Sequence, residues 1–180
     1  MPDLFRPHLG EPHHHAYVVE EIETTVNRLV DQFGAGPFFL IEDVAMENVL
    51  SRDEPAEFAH NSAFGRCGTS VIELIETVSL APERVGRGFS GPRPRIHHIA
   101  YAVPSDQVAQ LRSTLNERGL PEYLSAQLGE VDVTFHSASS TLGHDLEIHI
   151  DNQQLRDSFG MVSDAAEGWD GSEPLRLLEG

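Results

Sequence analysis

Apolar and polar positions along this chain follow two periods, and the periods come in the same order twice. His13-His14-His15-Ala16-Tyr17-Val18-Val19 is echoed by His97-His98-Ile99-Ala100-Tyr101-Ala102-Val103. Both are short and partly β-branched or aromatic, which predicts a strand in each case. Helical spacing follows each strand. Ile22, Val26, Leu29, Val30 and Phe33 fall at i, i+4, i+7, i+8 and i+11, one apolar face. Val108, Leu111 and Leu115 do the same in the second half, with Ser105 or Asp106 available as N-cap. Gly34 and Gly119 stand where a glycine would stop each helix. Three further strands are expected in each half, the clearest being the last: Ser70 to Glu76 and His144 to Ile150. The pattern predicts an α+β fold of two βαβββ modules, at about residues 11–79 and 95–151, within a single domain over 1–152. Between them, residues 80–94 are rich in Gly, Pro and Arg and predict an exposed linker. Residues 153–180 read as a polar tail with a short helix from Gln153 to Glu167, and Trp169 is expected to anchor it.

Strand alternation then sorts the faces. Leu146, Ile148 and Ile150 point toward a helix-covered core, as do Ile72, Leu74, Ile99, Tyr101 and Val103, and Tyr17 is also assigned to the core. Glu73, Glu147 and His98 are left on the opposite face, where Ala100 and Ala102 leave room beside the imidazole. By the repeat, His14 takes the equivalent place, though a one-residue slip would put His13 or His15 there. A carboxylate bracketed by apolar residues is costly unless it is paired, hydrogen-bonded or bound to a cation. Any one of the four is more often a structural residue than a ligand. Their recurrence in both halves favours a shared divalent ion: two carboxylates balance its charge, and mixed nitrogen and oxygen donors suit Zn, Co, Mn, Ni or Fe. The spacing differs, 59 residues from His14 to Glu73 and 49 from His98 to Glu147, and the excess is assigned to an acidic loop around Glu42 to Glu57.

Composition narrows the function classes. The formal charge of −17 argues against a nucleic-acid footprint or attraction to anionic lipid. No run of about 18 apolar residues offers a membrane span, and the first residues lack a secretory pattern. The single cysteine, Cys67, leaves no intrachain disulfide. A soluble, cytoplasmic protein is expected.

The repeated motifs resemble the vicinal oxygen chelate superfamily, which includes glyoxalase I and methylmalonyl-CoA epimerase, over roughly residues 11–151. Ile96-His97-His98-Ile99-Ala100-Tyr101-Ala102-Val103 is similar to the opening strand of that family's second module, whose second His binds metal. Ile72-Glu73-Leu74-Ile75-Glu76 and Leu146-Glu147-Ile148 resemble its ligand strands. Phe135-His136 and Gly34-Ala35-Gly36-Pro37-Phe38-Phe39 resemble further family segments. The resemblance implies two modules curled into a half-open barrel around one divalent metal held by His14, Glu73, His98 and Glu147. It also implies a metal-dependent isomerase or epimerase that abstracts a proton α to the carbonyl of a small molecule, an acyl-CoA among the options. Glu147, Glu57 and His60 are the candidate acid/base groups. His136 and His149 are expected to orient ligands or line the cleft. Arg84, Arg87, Arg93 and Arg95 are weighed as a hold for an anionic substrate tail, against the commoner reading of a solvated loop. An iron-dependent extradiol-type dioxygenase and a non-catalytic binding protein are the alternatives, and the family's habit of dimerising makes a homodimer a further expectation.

Overall fold

The computed structural model describes residues 9–44 and 46–178. The first half runs β1 (His14–Val18), α1 (Ile22–Phe33), β2 (Phe38–Ile41), β3 (Glu47–Ser51), β4 (Glu54–Pro55), β5 (Glu57–Cys67) and β6 (Ser70–Ala81). After α2 (Glu83–Phe89), the second half runs β7 (Arg95–Val103), α3 (Ser105–Glu117), β8 (Glu122–Leu128), β9 (Val131–His136), α4 (Ser139–Leu142) and β10 (Asp145–Ile150). Helix α5 (Gln153–Ala166) and β11 (Leu175–Leu177) complete the described chain.

All eleven strands join one sheet in the order β11-β2-β5-β6-β1-β7-β10-β9-β8-β3-β4. The two halves meet at β1 and β7, which pair antiparallel, and each pairs parallel with the last strand of its own half. The centre is therefore pseudo-symmetric. Strand β3 breaks the symmetry by pairing with β8 of the other half. That pairing dictates the shape. Eight strand spacings separate β2 from β3 along the sheet, about 38 Å if the sheet were flat. The chain crosses from Ile41 to Glu47, a reach of about 20 Å at most. The sheet must curl, and the result is a half-open barrel.

On the outer face, Ile22 and Val26 of α1 cluster with Val19, Phe38, Ala63 and Leu74. Leu111 and Leu115 of α3 cluster with Tyr101, Val103, Leu146 and Ile148. The strand phases expected from alternation agree with both clusters, and Tyr17 joins the first. Phe33 does not take its expected place: it is 66% exposed. Gly34 turns the chain in the left-handed region, and Ala35 and Phe38 supply the core contact instead. Neither Ser105 nor Asp106 caps α3; Pro104 holds the cap position, with no side-chain cap bond.

The stretch expected as an exposed linker is structured. Within it, α2 buries Val85 and Phe89 completely, because Phe89 inserts between Phe58 and the ring of His97. Arg84 and Arg93 within it and Arg95 just after it are fastened locally, and the side chain of Arg87 lies outside the described residues. Arg84 donates to Ser51 O and pairs with Glu54. Arg93 donates to Val19 O and Thr77, and Arg95 to Gly88 O and Ile96 O. The expected acidic loop contains the β3–β4 hairpin. The expected tail helix is α5, and Trp169 packs on Gly36, where a Cβ would lie 2.8 Å from the indole. Among the described residues, no helix is long and apolar enough to cross a membrane.

Candidate metal centre

Four central strands each contribute one side chain to the inner face: His14 from β1, Glu73 from β6, His98 from β7 and Glu147 from β10. Register explains the convergence. Ala16 sits opposite both Glu73 and His98, while Ala100 sits opposite both His14 and Glu147. Alanines at these crossings leave the four longer side chains room to lean together. One donor atom from each residue lies within 4.8 Å of all the others, and all four residues are buried. His14 Nε2 is 3.2 Å from Glu73 Oε2 and 3.3 Å from Glu147 Oε2. His98 Nε2 is 3.4 Å and 2.9 Å from the same two oxygens, and 3.4 Å from His14 Nε2.

These separations test whether a metal would fit. Around an ion with bonds of about 2.0–2.1 Å, tetrahedral donors lie about 3.4 Å apart and adjacent octahedral donors about 2.9 Å apart. The five separations above, 2.9–3.4 Å, span these values, and two carboxylates would neutralise a divalent charge. The donor set fits. With protons in place of an ion, burial depresses the His98 imidazolium, but Glu147 and Glu73 overcome this and hold it up at about 10. His14 is raised by the same balance. Burial also works against ionised Glu73 and Glu147, yet histidine neighbours hold both carboxyls below the ordinary range, His14 and His98 for Glu73, His149 and His98 foremost for Glu147.

A second ring of contacts orients the four. Ser62 Oγ donates to Glu73 Oε1 at 2.6 Å. His149, two residues along β10 from Glu147 and so on the same face, holds Glu147 Oε2 at 2.7 Å through Nε2. The doubled histidines of the repeat make a matched contact in each half. His13 Nδ1 lies 3.1 Å from His14 Nδ1, and His97 Nδ1 lies 2.8 Å from His98 Nδ1. Burial, with a positive neighbour in each case, pulls His13 down to about 3 and His97 well below its ordinary value. Both are therefore neutral and can accept from the Nδ1–H of the inner histidine, which leaves Nε2 of that residue as the donor atom. Only the repetition of His-His could have pointed to this pairing in the sequence. Glu76, three residues along β6 from Glu73, faces the other way and accepts from Ile22 N at the start of α1.

The four side chains open onto a cavity of ≈ 1000 Å³, open solvent included. His60 and His149 line it. His60 lies flat on Phe58, with ring centroids 4.1 Å apart. Its Nδ1 is buried without a hydrogen-bond partner, and burial pushes its pKa down. Glu57 lies elsewhere: it is exposed, accepts from Ser79, and is not among the cavity's lining residues. His136 is also outside the cavity; it is fully buried and its Nδ1 lies 3.0 Å from Leu120 O, tying β9 to the loop before β8. The tail takes a large part in the site. Leu155, Phe159, Val162 and Leu178 wall the cavity, and Phe159 stacks on the His14 ring at 5.4 Å.

No protein-family profile matches the chain, and no curated protein matches it in sequence. Solved structures do match. A hypothetical protein from Bacillus halodurans C-125 superposes with a TM-score of 0.54 at 22% identity, over 80% of this chain and 96% of that one. Methylmalonyl-CoA epimerase from Mycobacterium tuberculosis superposes with a TM-score of 0.53 at 13% identity, over 83% and 93%. The fold is that of the vicinal oxygen chelate proteins.

Proposed function

We propose that the protein is a metal-dependent isomerase or epimerase that moves a proton at the carbon α to a carbonyl. The observation that carries this reading is the buried set of two histidines and two glutamates, opening on a cavity that also holds His60, whose Nδ1 is buried without a hydrogen-bond partner. His14, Glu73, His98 and Glu147 would hold the divalent ion, which supplies Lewis-acid stabilisation where negative charge develops on substrate oxygen. Every other part of the work falls to side chains. Burial keeps His60 neutral near pH 7, so its ring retains a lone pair that can accept the α-proton and return it. Phe58 stacks beneath the ring and fixes its plane. Glu147 is a second acid/base candidate, held in place by His149. The apolar walls exclude water, which protects a carbanion-like species from stray protonation.

The test is exchange of α-protons with deuterium in a panel of α-hydroxy carbonyls, ketones and acyl thioesters, with protein loaded with one metal at a time. Exchange is expected with at least one metal and to vanish on chelation. His60→Gln is expected to slow it by about 10²–10⁴-fold while bound metal stays at the wild-type level. Because burial lowers the pKa of His60, the acid limb of the rate should lie below pH 6.5. Equal exchange in wild type and the variant would remove His60 from the role of base.

A further inference from the structure

We propose that the substrate is an apolar-bodied molecule, a carbonyl compound with an aryl or medium-chain alkyl body, and not one with an anionic tail inside the cavity. This rests on the metal-centre reading above and concerns the rest of the same cavity. Five phenylalanines, Phe39, Phe58, Phe64, Phe135 and Phe159, come from three strands and α5 to line it. Aliphatic side chains such as Val131, Val133, Leu155 and Met161 complete the walls. Among the described residues lining it there is no lysine, arginine or aspartate. Its ionisable groups are the four candidate ligands, His149 in contact with Glu147, and His60, which interacts with Glu73, Glu147 and His98. The polar lining is otherwise engaged: Ser62 donates to Glu73, Ser158 to Gln154 O, and Gln154 accepts from Glu130 N.

A ligand here thus meets polar groups around the candidate ligands and apolar surface beyond them. A carboxylate or phosphate carried into that surface would lose its hydration without gaining a partner. Arg84, Arg93 and Arg95, the nearest thing in the sequence to a phosphate hold, are tied to backbone carbonyls, and none of them lines the cavity. Each methylene that leaves water for such a wall tightens binding by about fourfold.

Hydroxamates separate head from tail, because the chelating group stays constant. With cobalt-loaded protein, the visible spectrum reports engagement of the head, and calorimetry gives the affinity. From acetohydroxamate to octanohydroxamate, affinity should rise about threefold or more per methylene, and an ω-carboxylate of octano length should bind at least about 100-fold more weakly than its uncharged counterpart. Leu128 and Met161 line the cavity and are partly exposed, at 37% and 38%, so Leu128→Asp with Met161→Asp should fold. That variant should lose affinity for octanohydroxamate and keep it for acetohydroxamate. A flat alkyl series, or a charged tail that binds as well as an uncharged one, would overturn the proposal. A second arm needs no metal: in metal-free protein, ligand-observed NMR should detect 2-acetylnaphthalene and not its 6-carboxylate. Should acetohydroxamate leave the cobalt spectrum unchanged while the naphthyl ketone still binds selectively, the metal centre has failed and the apolar substrate class stands. Equal binding of ketone and carboxylate overturns the substrate class whatever the cobalt spectrum shows.

Discussion

Ser62 and His97 touch the candidate ligands without being among them, and they show how much of the centre depends on support. Ser62 fixes the outer oxygen of Glu73, and His97 sets the tautomer of His98. Ser62→Ala and His97→Ala should each weaken zinc binding by about 10–100-fold in chelator competition, while the fold survives. The ligands themselves couple metal to protons. His98 in the folded, metal-free protein is raised to about 10 and His14 is raised too. Zinc loading near pH 7.5 should therefore release about one proton per ion from His98, with a further contribution from His14, readable by calorimetry in buffers of different ionisation enthalpy. The same shifts set the stability of metal-free protein. A raised histidine stabilises fully below its ordinary value of 6.5, and for His98 that contribution is lost as pH rises through about 10. The lowered carboxyls of Glu73 and Glu147 stabilise above their ordinary 4.5 and lose that contribution as pH falls. Urea midpoints of metal-free protein should peak between these limits and decline on both sides.

Helix α2 is short, yet it backs the centre from behind. Phe89 stacks on His97 at 4.0 Å, and His97 in turn meets His98. Phe89→Ala should cost about 3–5 kcal/mol in urea unfolding and also weaken zinc binding, since His97 loses the ring that fixes it. Strand β5 has its own tight point. A Cβ on Gly65 would come within 2.4 Å of the fully buried Phe38 ring. Gly65→Ala should destabilise by about 1–3 kcal/mol through overpacking, with little effect on metal affinity because Phe38 packs on the outer, α1 side.

One ion at this centre would be held by both halves, since His14 and Glu73 come from the first and His98 and Glu147 from the second. Metal should therefore stabilise the whole chain. At free zinc about 1,000-fold above its dissociation constant the gain is about 4 kcal/mol. Thermal unfolding should shift upward on zinc addition and return on chelation as a single transition; two transitions, with only one moved by zinc, would contradict a shared centre. The tail belongs to the same unit, because α5 walls the cavity and β11 pairs with β2.

Glu73, His98 and Glu147 were legible as inward-facing side chains because period-two alternation and a tandem repeat are local properties. Counting left His13, His14 and His15 open for the first strand, and only the folded sheet places His14 on the inner face. The outer clusters of α1 and α3 were legible as well, since their members recur at helical or strand spacing. The burial of Phe89, the turning of His136 away from the cavity and the tethering of Arg84, Arg93 and Arg95 were not legible. Each depends on a partner distant in the chain whose approach is set by packing. Glu57 and His60 stand three residues apart on β5, and only the folded sheet assigns His60 to the cavity and Glu57 to solvent. The crossing of β3 to β8 closed the sheet, and α5 walled its opening; neither follows from any periodicity. Local pattern is written in neighbouring residues, whereas the shape and chemistry of an enclosed space come from surfaces that meet only once the chain has folded.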